Sequence, residues 1–434
     1  MTSTLEALRK GDLAGAQSLK LDGGLTTVPD EVFGLADTLE VLDLGGNRLE
    51  ALPSDMGRLR RLRVLFCSGN RFERLPEVLG DCEALSQIGF RGVGLREIPA
   101  AALPPRLRWL TLTDNRIDTL PDALGERPLL QKLMLSGNRL RSLPERLGDL
   151  PNLELLRVAA NRLEELPPWL ADLPALAWPA WAGNPFDGVQ PMLDHTPVAW
   201  TELEIGKPLG EGASGHVFEV AWRKGGEAAT PEALKLFKGA MTSDGLPERE
   251  MSACLAVGTH PNLVGAIGRL TGHPEGAAGL LMPLLPPLWR ALAGPPSLET
   301  CSRDVYVPGQ TFDMETVVEI ARAVGAAAAH LHASDVIHGD LYAHNVLWDG
   351  VRQAKLSDFG AASFMPSGSA ADGRRALERI EVRAWGILLS ELADRCPDAP
   401  EALRALQSAC VSLKPASRPS MAEALDGLAA VSSG

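Results

Sequence analysis

Leucines in the first half of the chain recur in a fixed frame, LxxLxLxxNxLxxLP, as in LEVLDLGGNRLEALP at 39–53 and LQKLMLSGNRLRSLP at 130–144. The asparagines Asn47, Asn70, Asn115, Asn138, Asn161 and Asn184, with Val93 in the third place, step by 23, 23, 22, 23, 23 and 23 residues. A looser copy, AQSLKLDGGLTTVP, precedes them at 16–29. A fixed period of this size means one structural unit repeated, here about eight times. The LxL alternation predicts a short strand in each unit that turns alternate leucines inward. No unit can bury its leucines alone, so neighbours must stack into one continuous core. The asparagine side chain satisfies backbone groups at the turn leaving the strand. The Leu-Pro pairs, such as Leu52-Pro53 and Leu143-Pro144, stand where no further ladder N–H is needed. Val93 cannot do the asparagine's work, and the flanking Gly92 and Gly94 predict an altered backbone in a tolerated, degenerate repeat.

From Thr201 the period is lost. ELEIGKPLGEGASGHVFEVAW predicts strand, glycine-rich turn, strand, with Gly210, Gly212 and Gly215 spaced GxGxxG and followed by Val217. A dinucleotide site is the rival for such a turn, but there the last glycine opens a helix, whereas HVFEVAW is strand-like. ALKLF at 233–237 is a further strand carrying Lys235, and LPEREMSACLAVG at 246–258 a helix carrying Glu248 and Glu250. LLMPLLPP at 280–287 reads as a strand running into a hinge. A long apolar-periodic helix ends at His332. Then IHGDLYAHNVLWDGVRQAKLSDFG, 337–360, packs Asp340, Asn345 and Asp358 into one short segment. Another helix is expected over EVRAWGILLSEL, 381–392.

The first half resembles a leucine-rich repeat domain. The second resembles a compact eukaryotic-like protein kinase of the tyrosine-kinase-like group, on the glycine turn, ALKLF, HGDLYAHN and DFG. Together they imply a multidomain chain: an α/β repeat solenoid over 1–186, a stiff proline-containing linker over 187–200, and an α+β two-lobed kinase fold over 201–434. Trp178 and Trp181 are expected to cap the last leucine layer. His195, in the linker, reads as a surface residue.

The kinase resemblance assigns roles. Gly210, Gly212, Ser214, Gly215 and Val217 would cover the ATP phosphates, Lys235 would hold them and pair with Glu250, and Met282 or Leu281 would border the adenine. Asp340 would orient the acceptor hydroxyl, while Asn345 and Asp358 would bind Mg²⁺. His338 reads as a packed structural histidine. Glu378, in ALE at 376–378, would end the activation segment and pair with Arg418. Four departures stand out: Gly339 where most kinases carry arginine, Tyr342 in place of a lysine, Glu381 in place of an aspartate, and little room for a substrate-docking helix. In the activation segment only Ser363, Ser367 and Ser369 could accept phosphate. Segment 288–312 matches nothing in the family.

These residues predict an ATP-dependent protein kinase, with serine or threonine ahead of tyrosine as acceptor. The alternative is a nucleotide-binding scaffold without activity; transfer to a small molecule is a third reading. The repeat domain would recruit a protein substrate or regulator on its concave face, where Phe66, Arg108, Trp109, Lys132, Met134 and Arg157 combine aromatic, Met and basic character. A net charge of −13 argues against nucleic acid or an anionic membrane as the main partner. The six cysteines form no CxxC pair, which suggests neither zinc ligation nor a disulfide framework and fits a reducing, cytoplasmic location. No stretch reads as a signal peptide or membrane span.

Overall fold

The computed structural model describes residues 4–187, 196–212, 214–239, 241–242, 244–366 and 371–432. The chain divides into two compact units, Met1–Ala175 and Leu176–Gly434. In the first, α1 (Thr4–Lys10) precedes β1 (Ser18–Lys20), β2 (Val41–Asp43), β3 (Val64–Phe66), β4 (Gln87–Gly89), β5 (Trp109–Thr111), β6 (Lys132–Met134) and β7 (Leu155–Arg157). These strands pair in parallel and in sequence order. Their central residues, including Leu42, Leu65, Ile88, Leu110 and Leu133, stand in register and are buried, which is the stacked core the repeat demands. Short 3₁₀ turns follow prolines such as Pro76, Pro121 and Pro144, where a missing N–H costs nothing.

The asparagine ladder is built as expected. Asn138 donates from Nδ2 to the Leu112 and Leu135 carbonyls, both at 2.9 Å, and its Oδ1 accepts the Ile117 N–H at 3.1 Å. At the degenerate rung, the next asparagine takes the load. Asn115 Oδ1 accepts the N–H groups of Val93, Gly94 and Leu95 at 3.2, 2.9 and 3.0 Å. Gly92 is not special to that rung: Gly46, Gly69, Asp114, Gly137, Ala160 and Gly183 occupy the corresponding turn position, all with positive φ. Only Gly94, at φ 93°, sets the third turn apart.

The second unit opens with β8 (Trp178–Ala180) and β9 (Pro197–Ala199). Residues 176–186, grouped with the repeats on their sequence pattern, therefore fall in this unit. Of the expected linker, 188–195 with His195 lies outside the described residues, and β9 is a strand. It joins β10 (Leu203–Glu211), β11 (Gly215–Trp222), β12 (Thr230–Phe237), β13 (Gly268–Thr271) and β14 (Gly279–Pro283) in a sheet of order β10-β11-β12-β14-β13-β9. Val198, Val220, Trp222, Leu234, Leu270 and Leu281 form the core of this layer. Helix α2 (Pro247–Ala256) lies between β12 and β13 in sequence.

The rest is mostly helical: β15 (Arg290–Ala291), α3 (Met314–Ala333), β16 (Val336–Ile337), β17 (Val346–Trp348), β18 (Ala354–Leu356), β19 (Ser363–Phe364), α4 (Ala371–Ala393), α5 (Glu401–Cys410) and α6 (Met421–Ser432). Asp313 caps α3 by accepting the Thr316 N–H at 2.7 Å. Trp385 of α4 donates to the Ala321 carbonyl of α3 at 2.9 Å, tying the two buried helices together. Helix α4 starts well before 381 and absorbs ALE, so Glu378 stands inside a helix and does not end a loop. Arg418, buried, donates to the backbone carbonyls of Ser412 and Arg379 at 2.9 and 3.1 Å. Ser367 and Ser369 lie outside the described residues. Among the described residues, no helix is long and apolar enough to cross a membrane.

Candidate active site

The glycine turn is a hairpin. β10 and β11 pair antiparallel, and the Gly212 N–H donates to the Gly215 carbonyl at 2.9 Å. A strand, not a helix, follows the last glycine, which removes the dinucleotide reading. A Cβ on Gly210 or Gly212 would meet open space, whereas one on Gly215 would strike the Leu236 carbonyl. Two glycines thus leave room for a ligand, and the third lets two strands approach.

Below the hairpin lies a cleft of about 580 Å³ lined by Gly212, Ser214, Val217, Lys235, Met282 and Asp358, among others. Strand alternation turns Leu280 and Met282 into it, while Leu281 faces the sheet core. Of the two expected adenine neighbours, the cleft takes Met282. Gly210, Asp340 and Asn345 are not part of its lining.

Lys235 stands opposite Val217 and Leu280 in the sheet. Its ammonium pairs with Glu250 of α2, and both side chains are buried, at 12% and 5% exposure. Glu248 is exposed and plays no part. Burial alone would lower the Lys235 pKa, but the Asp358 and Glu250 carboxylates raise it above the ordinary lysine value. Burial pushes the Glu250 carboxyl up to about 7 against the opposing Lys235 charge, with Asp358 adding to the rise. Asp358 sits at φ 63°, a strained backbone for a residue with a side chain, and its Oδ1 accepts the Gly360 N–H at 3.0 Å.

The segment after β16 is pinned from several sides. His338 is fully buried; its Nε2 donates to the Ser357 carbonyl at 3.0 Å, and its Nδ1 accepts the Asp340 N–H at 3.3 Å. Its ring lies 5.6 Å from that of Phe359. Both ring nitrogens are occupied, so His338 holds the loop as a packed residue. Glu381 reaches in from α4: Oε1 accepts the Gly339 N–H at 2.9 Å and Oε2 meets His332 Nε2 at 2.8 Å. Burial would raise the Glu381 pKa, yet His332, His338 and the Gly339 N–H hold it below the ordinary carboxylate value. Asn345 spends both amide hydrogens on Asp340, at 2.7 Å to Oδ2 and 2.9 Å to the carbonyl. That leaves Asn345 Oδ1, with the Asp358 carboxylate, as oxygen donors suited to a hard divalent cation.

Two supports of this loop were not apparent in the sequence. Asp304, in the unmatched segment 288–312, accepts the His344 N–H at 2.9 Å and meets His344 Nδ1 at 2.7 Å. Trp178 and Trp181, read as caps of the leucine layer, donate their indole N–H groups to the Leu341 and Phe364 carbonyls at 3.0 and 2.9 Å. An aspartate inside an unclassified excursion, and two tryptophans within four residues, were the only signals available.

The repeat face also differs in part from expectation. Phe66, Arg108, Trp109 and Met134 are half-buried. A Cβ on Gly89 would come within 2.7 Å of the Phe66 ring, so the phenylalanine lies across the neighbouring strand. Lys132 is buried with its ammonium 4.6 Å from the Trp109 ring centre, a cation–π contact that withdraws its charge. Arg157 is 1% exposed, beside the buried Glu154 and Leu155, so it cannot serve as a free contact residue. Arg106 and Arg108, with Arg63, line a recess of about 460 Å³ on this unit.

Comparison with known proteins agrees with this geometry. Residues 203–385 match the family described as protein tyrosine and serine/threonine kinase, and 105–178 and 38–59 match leucine rich repeat families. A probable leucine-rich repeat receptor-like protein kinase of Arabidopsis thaliana is 34% identical over 111 residues, 22% of this chain and 17% of that protein. Fibroblast growth factor receptor 1 of Xenopus laevis is 30% identical over 176 residues, 38% of this chain and 21% of its own. A probable serine/threonine-protein kinase of Dictyostelium discoideum is 30% identical over 168 residues, 38% and 9% respectively. The chain thus spans about a fifth or less of these relatives. It carries leucine-rich repeats followed by a protein kinase domain.

Proposed function

We propose that the chain is an ATP- and Mg²⁺-dependent protein kinase that transfers the γ-phosphate to protein hydroxyls. The observation that carries this reading is the joint arrangement of the buried Lys235–Glu250 pair beside Asp358 and the Asn345–Asp340 hydrogen bond. A phosphoryl transfer needs positioning and charge neutralisation more than covalent chemistry. Lys235 would hold the nucleotide phosphates, the hairpin glycines would let backbone N–H groups approach them, and Met282 would border the adenine. Asn345 and Asp358 would hold Mg²⁺, which supplies neutralisation of phosphate charge. Asp340, oriented by the Asn345 amide, would accept the proton of the acceptor hydroxyl. Serine and threonine are the favoured acceptors. The six free and buried thiols fit a reducing, cytoplasmic setting.

Incubation with labelled ATP, Mg²⁺ and a generic protein acceptor tests the reading. Lys235→Met and Asp340→Asn should each cut transfer by about 10²-fold or more. Label that is absent throughout, or unchanged in both variants, would favour the inactive scaffold. Mass spectrometry of the labelled residue identifies the acceptor class.

For the repeat unit we propose a protein-binding face formed by Phe66, Arg108, Trp109 and Met134, continuing into the arginine-lined recess. Its half-buried aromatic, Met and Arg side chains are the composition of a binding hot region. The chemistry fits an acidic protein segment, as substrate or regulator.

A further inference from the structure

Residues 178–187 lie against the machinery just described. The Trp178 ring stacks on Tyr342, with centres 4.0 Å apart and planes 10° apart. Tyr342 stands 5.0 Å from His344, which Asp304 holds by both its backbone and its ring nitrogen. Arg303, the neighbour of Asp304, sits 5.5 Å over the Trp178 ring. Arg303, Trp178, Tyr342, His344 and Asp304 therefore close a circuit of side chains around the loop from Asp340 to Asn345. A few residues on, the N–H groups of Trp181 and Ala182 both donate to Ser363 Oγ, at 3.0 and 3.2 Å. Ser363 and Phe364 form β19, which pairs with β16 immediately ahead of that loop. Asp187 ends the stretch, 3.4 Å from Arg249, the neighbour of Glu250 on α2.

The same stretch accounts for the departures at 339 and 342. A Cβ at Gly339, which sits at φ 72°, would strike the Pro179 carbonyl and come within 2.8 Å of the Ala361 carbonyl. No cation can stand there to receive a phosphate. Ser363 is 1% exposed and its hydroxyl already accepts two N–H groups, so a phosphate there is excluded as well. Tyr342 presents a flat ring to Trp178, which a lysine could not do.

We infer that residues 178–187 are a built-in positioning element, and that Trp178 is its positioning residue for the transfer proposed above. The element holds the catalytic loop, the head of the activation segment and α2 by contacts made on folding. Phosphotransfer then needs no prior phosphorylation of the chain. The inference rests on the kinase reading, and its test separates the two.

The full-length protein is compared with Trp178→Ala, Trp178→Phe and Ser363→Ala, each before and after phosphatase treatment. Trp178→Ala should lower kcat by about 10–100-fold, the scale of a misplaced catalytic group, while the calorimetric Kd for a magnesium-bound ATP analogue changes by less than about threefold. Trp178→Phe, which keeps a ring for the stack, should recover most of kcat. Phosphatase should leave the unaltered protein's kcat as it was. Hydrogen exchange should quicken at 339–345 and 361–366 in Trp178→Ala and stay unchanged over 205–222. Should Trp178→Ala not fold, Ser363→Ala carries the exchange readout, with quickening expected at 361–366. An unchanged kcat in Trp178→Ala, equal losses of kcat and nucleotide affinity, or a phosphatase-sensitive kcat would overturn the inference. If the unaltered protein transfers nothing, the kinase reading fails, and the exchange pattern alone decides whether the element positions the loop.

Discussion

Glu250 is asked to be charged where burial favours the neutral form. Its carboxyl titrates at about 7 in the folded chain against an ordinary 4.5, so folding tightens its hold on a proton. The resulting stability is fully present below about 4.5 and is lost as pH rises through about 7. Glu250→Gln removes this dependence. Relative to the unaltered protein, the variant should gain stability between about pH 5 and pH 8, by on the order of 3 kcal/mol, in paired urea titrations. Catalysis runs the other way, because only ionised Glu250 holds Lys235. The proposed transfer activity of the unaltered protein should therefore fall as pH drops below about 7, with Lys235 released, and Glu250→Gln should be weak and flat over that range. A variant retaining the acid limb would assign it to another group. At this scale the sequence was most legible where chemistry is local. Lys235, Asp340, Asn345 and Asp358 are fixed by short motifs, and the burial of Glu250 separates it from the exposed Glu248. It was least legible where a role depends on distant neighbours. Arg157 has the composition of a contact residue and the burial of a core residue, and Lys132 spends its charge on Trp109.

Periodicity does the work at the level of elements. The repeat frame predicted strand after strand in the first unit, because a leucine every second residue and an asparagine every 23 leave few other folds. The turn position one residue before each asparagine carries positive φ, usually on glycine, but Asp114 and Ala160 bring a Cβ there, at φ 59° and 52°. Ala160→Gly should raise the stability of the repeat unit by about 1 kcal/mol, read as a higher urea midpoint. A lower midpoint would mean that the methyl group packs usefully. Asn138→Ala should do the opposite. It removes one of two amide donors from the Leu112 and Leu135 carbonyls, which keep Asn115 and Asn161, and leaves the Ile117 N–H without its acceptor, at a cost of about 1–3 kcal/mol. Boundaries in the second unit were harder to read. The early start of α4 and the strand at 197–199 depend on tertiary packing, and the opening ADGRR of α4, 371–375, carries no apolar signal that would mark a helix. Trp178 and Trp181 looked like solenoid caps because they continue the repeat frame. Their actual partners are more than 160 residues away in sequence, beyond the reach of any local pattern.

For the molecule as a whole, the charge distribution sets up a contrast with a kinetic consequence. The chain carries −13 overall, which repels acidic partners at long range. Yet Arg106 and Arg108 line a recess on the repeat unit, with Arg63 beside them already paired to Glu40 at 2.6 Å. Selection for the acidic segment proposed above would then be short-range, acting within about one Debye length, and it should weaken steeply with salt. If the repeats recruit and the kinase domain transfers, a peptide carrying both a glutamate-rich segment and a serine meets the catalytic loop at an effective concentration in the millimolar range. Such binding is uniform between ground and transition states, so it should lower KM and leave kcat alone. A tethered acidic–serine peptide should show a KM about 10²-fold below that of the serine segment by itself, at equal kcat. Arg108→Glu and Trp109→Ala should erase the gap by raising the KM of the tethered peptide only, and about 1 M salt should do the same. A gap that survives both substitutions would place recruitment elsewhere on the chain. A change in kcat would mean that the repeats act on the chemistry itself, a role different from delivering the substrate.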